Sequence, residues 1–252
     1  MARCIENKVK VLRIAVISDI HSAYAPFEQA LADAKAAGFD QLILLGDLFT
    51  YGIDPRPCAE LAANAISQEG ALLIGGNHDQ LYVDLENGEN SYFDRLPDWI
   101  GESVTWTWSQ LGKHWPNDLP MLEEWHYGPL LLAHANPFGY GDWTYMSGDT
   151  EMARAASVCA QRGFRYGVFG HLHRSRHFVD SFAEIHVVGS VGQPRASEDR
   201  VPQWAMLEYL NEKLTLVRHN IAFDAPAHCA KIQRHPDLSP GTKNRLCGFF
   251  ES

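Results

Sequence analysis

Five short apolar runs in this chain each stop at a side chain able to bind a metal or carry a proton. Residues 9–18 lead into Asp19-Ile20-His21, and residues 42–45 into Gly46-Asp47. Residues 72–74 lead into Gly75-Gly76-Asn77-His78-Asp79, residues 130–133 into His134, and residues 166–169 into Gly170-His171-Leu172-His173. Runs of aliphatic and β-branched residues this short suit strands buried on both faces. Helical patterns separate the first three. Residues 27–37 are alanine-rich with Gly38 placed to stop them, and Pro55 and Pro57 open a second helix through Asn64, closed at Gly70. Strand, helix, strand, helix, strand predicts an α/β fold with parallel pairing, whose carboxyl strand ends share one edge. The polar clusters should therefore meet there.

Residues two apart in an extended segment point the same way. Asp19 with His21, and His171 with His173, are therefore expected to face one site while Ile20 and Leu172 face the core. Histidine and carboxylate donors without any thiolate suit Mn²⁺, Fe, Zn²⁺, Ni²⁺ or Co²⁺. Seven candidate donors (Asp19, His21, Asp47, Asn77, His134, His171 and His173) exceed what one ion takes while keeping an open position. Two ions sharing a carboxylate account for the number. Such a pair clamps a phosphoryl group and lowers the pKa of water. An imidazole at His78 suits proton transfer near neutral pH, with the carboxylate of Asp79 next to it to fix its orientation.

The middle of the chain breaks the strand–helix rhythm. Residues 82–127 hold Trp99, Trp106, Trp108, Trp115 and Trp125, with Pro97, Pro116 and Pro120 between. A helical insertion is expected there, with helices over residues 102–111 and 119–124 and the aromatics packed as a small core. A nucleobase-stacking platform is the sharper alternative. A helix is expected over residues 150–161, capped by Asp149 or Thr150. From residue 178 the pattern turns antiparallel: residues 178–182, 185–188, then 205–210 and 214–218 around the Asn211-Glu212 turn. The tail, residues 224–252, carries at most one short helix. The whole chain, 1–252, is expected to be one domain.

Charge and cysteine content limit the partners. A formal charge of −10 argues against a non-specific nucleic-acid or membrane-surface binder, since both want a basic face. Five scattered cysteines without a Cys-x-x-Cys pair fit unpaired thiols in a reducing compartment. The polar residues 1–10 and the short apolar run behind them match neither a signal peptide nor a membrane span. A cytoplasmic protein is expected.

The ordered series Asp19-x-His21, Gly46-Asp47, Gly76-Asn77-His78-Asp79, His134 and Gly170-His171-x-His173 resembles the motifs of the calcineurin-like metallophosphoesterases. Two further stretches, residues 46–55 and 189–195, resemble the small bacterial phosphodiesterase branch related to diadenosine tetraphosphatases. The resemblance implies two mixed sheets packed as a sandwich flanked by helices. It implies that Asp19, His21 and His173 hold one ion and Asn77, His134 and His171 the other, with Asp47 bridging and His78 catalytic. The expected activity is hydrolysis of small or nucleotide-like phosphodiesters with two divalent ions, manganese first among them. A phosphomonoesterase, a dinucleoside polyphosphate hydrolase and a non-catalytic protein-binding scaffold are the alternatives. Three positions depart from relatives. Thr50 stands where many have an acid. Thr50-Tyr51-Gly52 stands where Ser/Thr phosphatases have Asp-Arg-Gly, so their phosphate-gripping arginine is missing. Tyr51 is one residue out of register for a purple-acid-phosphatase ligand. Arg195 is either a phosphate contact or half of a structural ion pair.

Overall fold

In a computed structural model, residues 11–112, 119–195 and 200–250 are described. Cys4, Val9, Lys10, Trp115 and Pro116 lie outside the described residues. Both apolar faces of the first strands find a layer to pack against. In β1 (Leu12–Ile17), Ile14 and Val16 enter a core between two sheets, while Ala15 and Ile17 face the helices outside. The same alternation divides Ile43 and Leu45 from Leu42 and Leu44 around β2 (Gln41–Leu44). It also divides Leu130 and Leu132 from Leu131 and Ala133 in β6 (Leu130–Ala133). This two-residue period with both faces buried is what a sandwich of two sheets covered by helices requires.

Helices α1 (Tyr24–Ala37) and α2 (Pro55–Glu69) follow β1 and β2, and β3 (Leu72–Ile74) runs directly into α3 (Asn77–Glu86). Then come a 3-10 turn at Phe93–Arg95, α4 (Asp98–Leu111), β4 (Met121–Leu122) and β5 (Glu124–Tyr127). After β6 lie α5 (Asp149–Gln161), β7 (Tyr166–Phe169), β8 (Arg176–Val179) and β9 (Glu184–Val187). The chain closes with β10 (Gln203–Leu210), β11 (Lys213–Asn220), α6 (Ala225–Gln233) and α7 (Pro240–Cys247). One sheet has the order β11-β10-β1-β2-β3-β4 and the other β5-β6-β7-β9-β8. Both are mixed. β1, β2, β3 and β4 run parallel while β10 joins β1 antiparallel, and β6, β7 and β9 run parallel between antiparallel β5 and β8. The carboxyl ends of β1, β2, β3, β6 and β7 are the ends that carry the polar clusters.

Several expectations change. Residues 119–124 do not form a helix. Met121 and Leu122 extend the first sheet beside Leu73 and Ile74, and Glu124 begins an edge strand of the second, so this segment links the two sheets. An apolar pair beside an unfilled sheet edge gains more from ladder hydrogen bonds than from one isolated turn of helix. The described tryptophans form no core of their own. Trp108 packs against the core under the first sheet's helices, whereas Trp99 and Trp106 join Tyr51, Ile53, Ile232, Leu238 and Leu246. That second cluster also accounts for the tail, which forms two helices, α6 and α7, capped by the side chains of Asp224 and Ser239. Helix α5 is capped neither by Asp149 nor by Thr150. Its N-cap is Gly148, whose N–H donates to the Glu151 carboxylate at 3.0 Å. The strand expected at 178–182 lies two residues earlier, because Asp180 turns the chain by accepting from the N–H groups of Phe182 and Ala183. Among the described residues no helix is long and apolar enough to cross a membrane.

Candidate metal centre

Asp19, His21, Asp47 and His173 each bring one donor atom within 4.8 Å of the others, and Asp47, His134 and His171 form a second such group. Asp47 belongs to both. Asn77 joins at the second group, its Oδ1 3.3 Å from His134 Nε2. All seven expected donors therefore meet at one edge, and each is at most 3% exposed.

The local backbone is not the extended one expected. Asp19, His21, Asp47, His171 and His173 have φ between 49° and 64°, as does Ser22 at 53°, and Thr50 and Tyr51 reach 75° and 66°. Left-handed backbone at non-glycine residues costs of order 1–3 kcal/mol each and persists only where the surroundings impose it. Here tight turns aim the donors inward. Ile20 and Leu172 are still buried, as expected. Two glycines make the crowding possible. A Cβ on Gly76 would lie 2.2 Å from Asp47 Oδ1, and one on Gly46 would lie 2.4 Å from His134 Nδ1.

Backbone carbonyls fix the tautomer of each imidazole. A carbonyl only accepts, so the ring nitrogen facing it carries the hydrogen. His21 Nδ1 faces the Phe49 carbonyl at 2.9 Å, His134 Nδ1 faces Leu45 at 2.8 Å, and His173 Nδ1 faces Gln193 at 3.1 Å. His171 is reversed, with Nε2 facing the Trp143 carbonyl at 3.0 Å, leaving Nδ1 for the centre. In the neutral rings every inward nitrogen is then a bare lone pair. His21 Nε2 and His173 Nε2 stand 3.1 Å apart, and His134 Nε2 faces both Asn77 Oδ1 and Asp47 Oδ2. Asn77 spends its Nδ2 on the Tyr92 hydroxyl at 3.0 Å, so its oxygen also turns inward. Asp47 accepts the His78 N–H on Oδ1 at 2.8 Å, while Oδ2 has no hydrogen-bond partner among the described residues. That oxygen lies 3.6 Å from His21 Nε2 and 3.4 Å from His134 Nε2.

A buried cavity of converging acceptors repels itself unless cations fill it. The donor set therefore fits divalent cations, which these residues could hold. Electrostatics agree. Burial pushes the His21 and His173 imidazoles well down, and burial with the neighbouring His134 brings His171 to about 3. His134 is the exception. Burial would lower it too, but the Asp47 carboxylate outweighs that and holds it up at about 10, a proton standing where a metal would.

These shifts predict how metal-free protein responds to acid. Below the ordinary imidazole value of 6.5, an unfolded chain protonates His21, His171 and His173 while the folded site keeps them neutral. The unfolded state then binds more protons, so stability falls as pH falls. Each such imidazole contributes about 1.4 kcal/mol per pH unit. His134 is protonated in both states there and adds nothing. Asp79, held up near 7 by burial and by Asp47, and Asp19, raised by burial, work the other way, but His78 and His186, which burial lowers, add to the three imidazoles. The melting temperature of chelator-treated protein should therefore drop between pH 6.5 and pH 5. A constant or rising value would contradict this electrostatic account.

Asp79 does not orient His78, contrary to expectation. Its two oxygens accept from the N–H groups of Asp47, Leu48 and Gly76 at 2.8–2.9 Å, so it holds the loop that presents Asp47. The first turn of α3 points the two side chains apart. The His78 ring instead has its Nε2 3.1 Å from the Tyr51 hydroxyl, and its Nδ1 is buried without a partner among the described residues. Other supporting groups gave no signal in the sequence. The Ser18 hydroxyl donates to Asp19 Oδ2 at 2.6 Å, and the Phe49, Leu45, Gln193 and Trp143 carbonyls are backbone atoms that any residue would supply. Tyr51 was visible, since it stands where the protein phosphatases have arginine.

A third group of potential donors, His177, Glu184 and His186, lies on the β8–β9 hairpin. Its two imidazoles stack 4.4 Å apart with planes 8° from parallel, so their in-plane lone pairs do not converge. At the main centre the His134 and His171 rings meet at 66° and those of His21 and His173 at 43°.

Comparison with known proteins gives a consistent picture. The model of the calcineurin-like phosphoesterase family matches residues 12–175. An uncharacterized protein of Methanocaldococcus jannaschii is 28% identical over 245 residues, covering 88% of this chain and 92% of that protein. Among solved structures, a metallophosphoesterase from Sphaerobacter thermophilus superposes with a TM-score of 0.69 at 22% identity, over 95% of this chain and all of the other. A hypothetical protein from Pyrococcus horikoshii gives a TM-score of 0.78 at 18% identity, over 93% of this chain and 97% of that one.

Proposed function

This chain belongs to the calcineurin-like phosphoesterase family, a family of phosphoester hydrolases that use divalent metal ions, and from that premise we propose a dinuclear phosphodiesterase acting on small or nucleotide-like diesters. The observation that carries the reading is the buried donor set converging on Asp47 Oδ2, where the His21, His171 and His173 imidazoles turn neutral nitrogens inward and the His134 proton stands where a metal would. Asp19, His21 and His173 would hold one ion, Asn77, His134 and His171 the other, and Asp47 both. Ions held there would neutralise a phosphoryl group and lower the pKa of water, with manganese the first choice for this nitrogen and oxygen set.

The chain's own residues supply the rest. Asn77 adds a ligand without charge, so Asp19 and Asp47 leave the loaded centre attractive to an anion. Burial lowers His78, keeping it neutral in the free site, and an arriving phosphate anion favours its protonated form. His78 then donates to the leaving oxygen, held in place by Tyr51. Asp79 acts through the backbone, fixing the turn that presents Asp47. The reading takes residues 1–252 as one cytoplasmic domain whose partner is a small phosphoester, without membrane or non-specific nucleic-acid binding.

Purified protein loaded with Mn²⁺ should hydrolyse bis-p-nitrophenyl phosphate faster than p-nitrophenyl phosphate. A preference for the monoester, or for diadenosine polyphosphates over both, would shift the assignment within the hydrolases. No turnover of any of them with Mn²⁺, Ni²⁺, Co²⁺, Fe²⁺ or Zn²⁺ would overturn it.

A further inference from the structure

Residues 188–195, after β9, are tied into the metal centre at several points. The N–H groups of Val191 and Gly192 donate to the carbonyls of Ser18 and Asp19, and the Ser190 hydroxyl donates to the Asp19 carbonyl at 2.9 Å. Gln193 accepts from His173 Nδ1, and the Arg195 N–H donates back to the His173 carbonyl at 3.1 Å. Arg195 is thereby placed relative to the donors as firmly as the donors are to one another.

Among the described residues its side chain has no matching acid. The guanidinium donates to Gln193 Oε1, acts electrostatically on the Tyr145 hydroxyl and lies 6.0 Å from the Phe249 ring centre. Among the described residues it meets no carboxylate, so the structural ion pair that was the alternative is not found. Arg13, Arg162 and Arg176 meet Glu208, Glu124 and Asp149 at 2.6–3.2 Å. Burial sets the direction at four neighbours, down for His78 and His173 and up for Tyr51 and Tyr145, and the positive field of Arg195 reaches all four, adding to the first pair and opposing the second. Tyr145 in turn stacks on His171 at 4.1 Å. Arg195 and Tyr145 thus link the His173 side of the centre to the His171 side. A half-buried cation bonded only to neutral groups is stabilised when an anion arrives, and a guanidinium suits phosphate oxygens because it offers paired N–H groups in one plane.

We propose that Arg195 is the phosphate-gripping residue of this enzyme, donating to a non-bridging oxygen of the scissile phosphoryl group. It would do from the β9 loop what Tyr51, lacking any charge, cannot do from the β2 loop. The proposal rests on the phosphoesterase reading above. It is tested with inorganic phosphate, titrated calorimetrically into metal-loaded wild type, Arg195→Gln and Arg195→Lys, with metal content measured on the same samples.

Arg195→Gln should keep both ions and weaken phosphate binding about tenfold or more. Arg195→Lys, which keeps the charge without the fork, should fall between. With diester substrate, kcat/KM of Arg195→Gln should drop by a similar factor. Phosphate affinity within threefold of wild type, with metal retained, would overturn the assignment of Arg195 while leaving the enzyme reading intact. Wild type that neither binds phosphate nor hydrolyses phosphoesters would overturn both.

Discussion

His78→Ala should retain both metal ions and lose about 10²–10⁴-fold in kcat. That range is what a positioned proton donor contributes. His78 belongs to neither donor group, and its ring meets the centre only edge-on to His21 at 5.3 Å. Its removal therefore takes away a proton and a hydrogen bond without opening a coordination position. Because the ring is buried, alanine leaves a cavity. His78→Gln serves as the companion variant, filling most of the space without a titratable group. Metal content by mass spectrometry and kcat on a diester, measured for both variants, separate chemistry from loading. Turnover within tenfold of wild type in fully loaded protein would remove His78 from the mechanism.

Asp47→Asn should have the largest effect on the centre itself. One oxygen of Asp47 is fixed by the His78 N–H, and the other lies 3.6 Å from His21 Nε2 in one donor group and 3.4 Å from His134 Nε2 in the other. An amide there still fills the space but brings no charge to two cations. Apparent affinity for at least one ion should fall by more than the 10–100-fold typical of losing an outer partner of a ligand. The metal-free variant carries an independent signature. In wild type the Asp47 carboxylate outweighs burial and holds His134 up at about 10. Without that charge, burial is opposed only by Asp19 and the Leu45 carbonyl, so His134 in Asp47→Asn should titrate well below its wild-type value by NMR. An unchanged His134 value would mean that the charge acting on it comes from elsewhere.

Much of this was legible in the sequence because strand ends announce themselves. An apolar run that ends at Asp19, Asp47, Asn77, His134 or His171 places its donor at a sheet edge, and parallel pairing brings those edges together wherever they lie along the chain. The seven donors and the sandwich followed from that alone or from the resemblance it supports. Less legible was how each donor is aimed. Left-handed turns at Asp19, His21, His171 and His173 replace the extended spacing, because the donors must bend inward over the strand ends instead of alternating along them. The role of Asp79 was misread for a related reason. Adjacency in sequence suggested contact with His78, but successive residues at the start of a helix point some 100° apart, and the carboxylate turned to the N–H groups of Asp47, Leu48 and Gly76 instead. Residues 119–124 were misread because a six-residue segment carries too little periodicity to separate a helix from two short strands. The carbonyls that set the imidazole tautomers have no sequence signature, and only the folded chain shows them.

We propose that two cations share Asp47 at this edge. Crystals of the protein grown with Mn²⁺ and measured for anomalous scattering test it most directly. Two peaks should appear about 3.5–4 Å apart with Asp47 Oδ2 between them, one among Asp19, His21 and His173 and the other among Asn77, His134 and His171. A single peak that does not touch Asp47, or none at this edge in protein that binds manganese elsewhere, would contradict it.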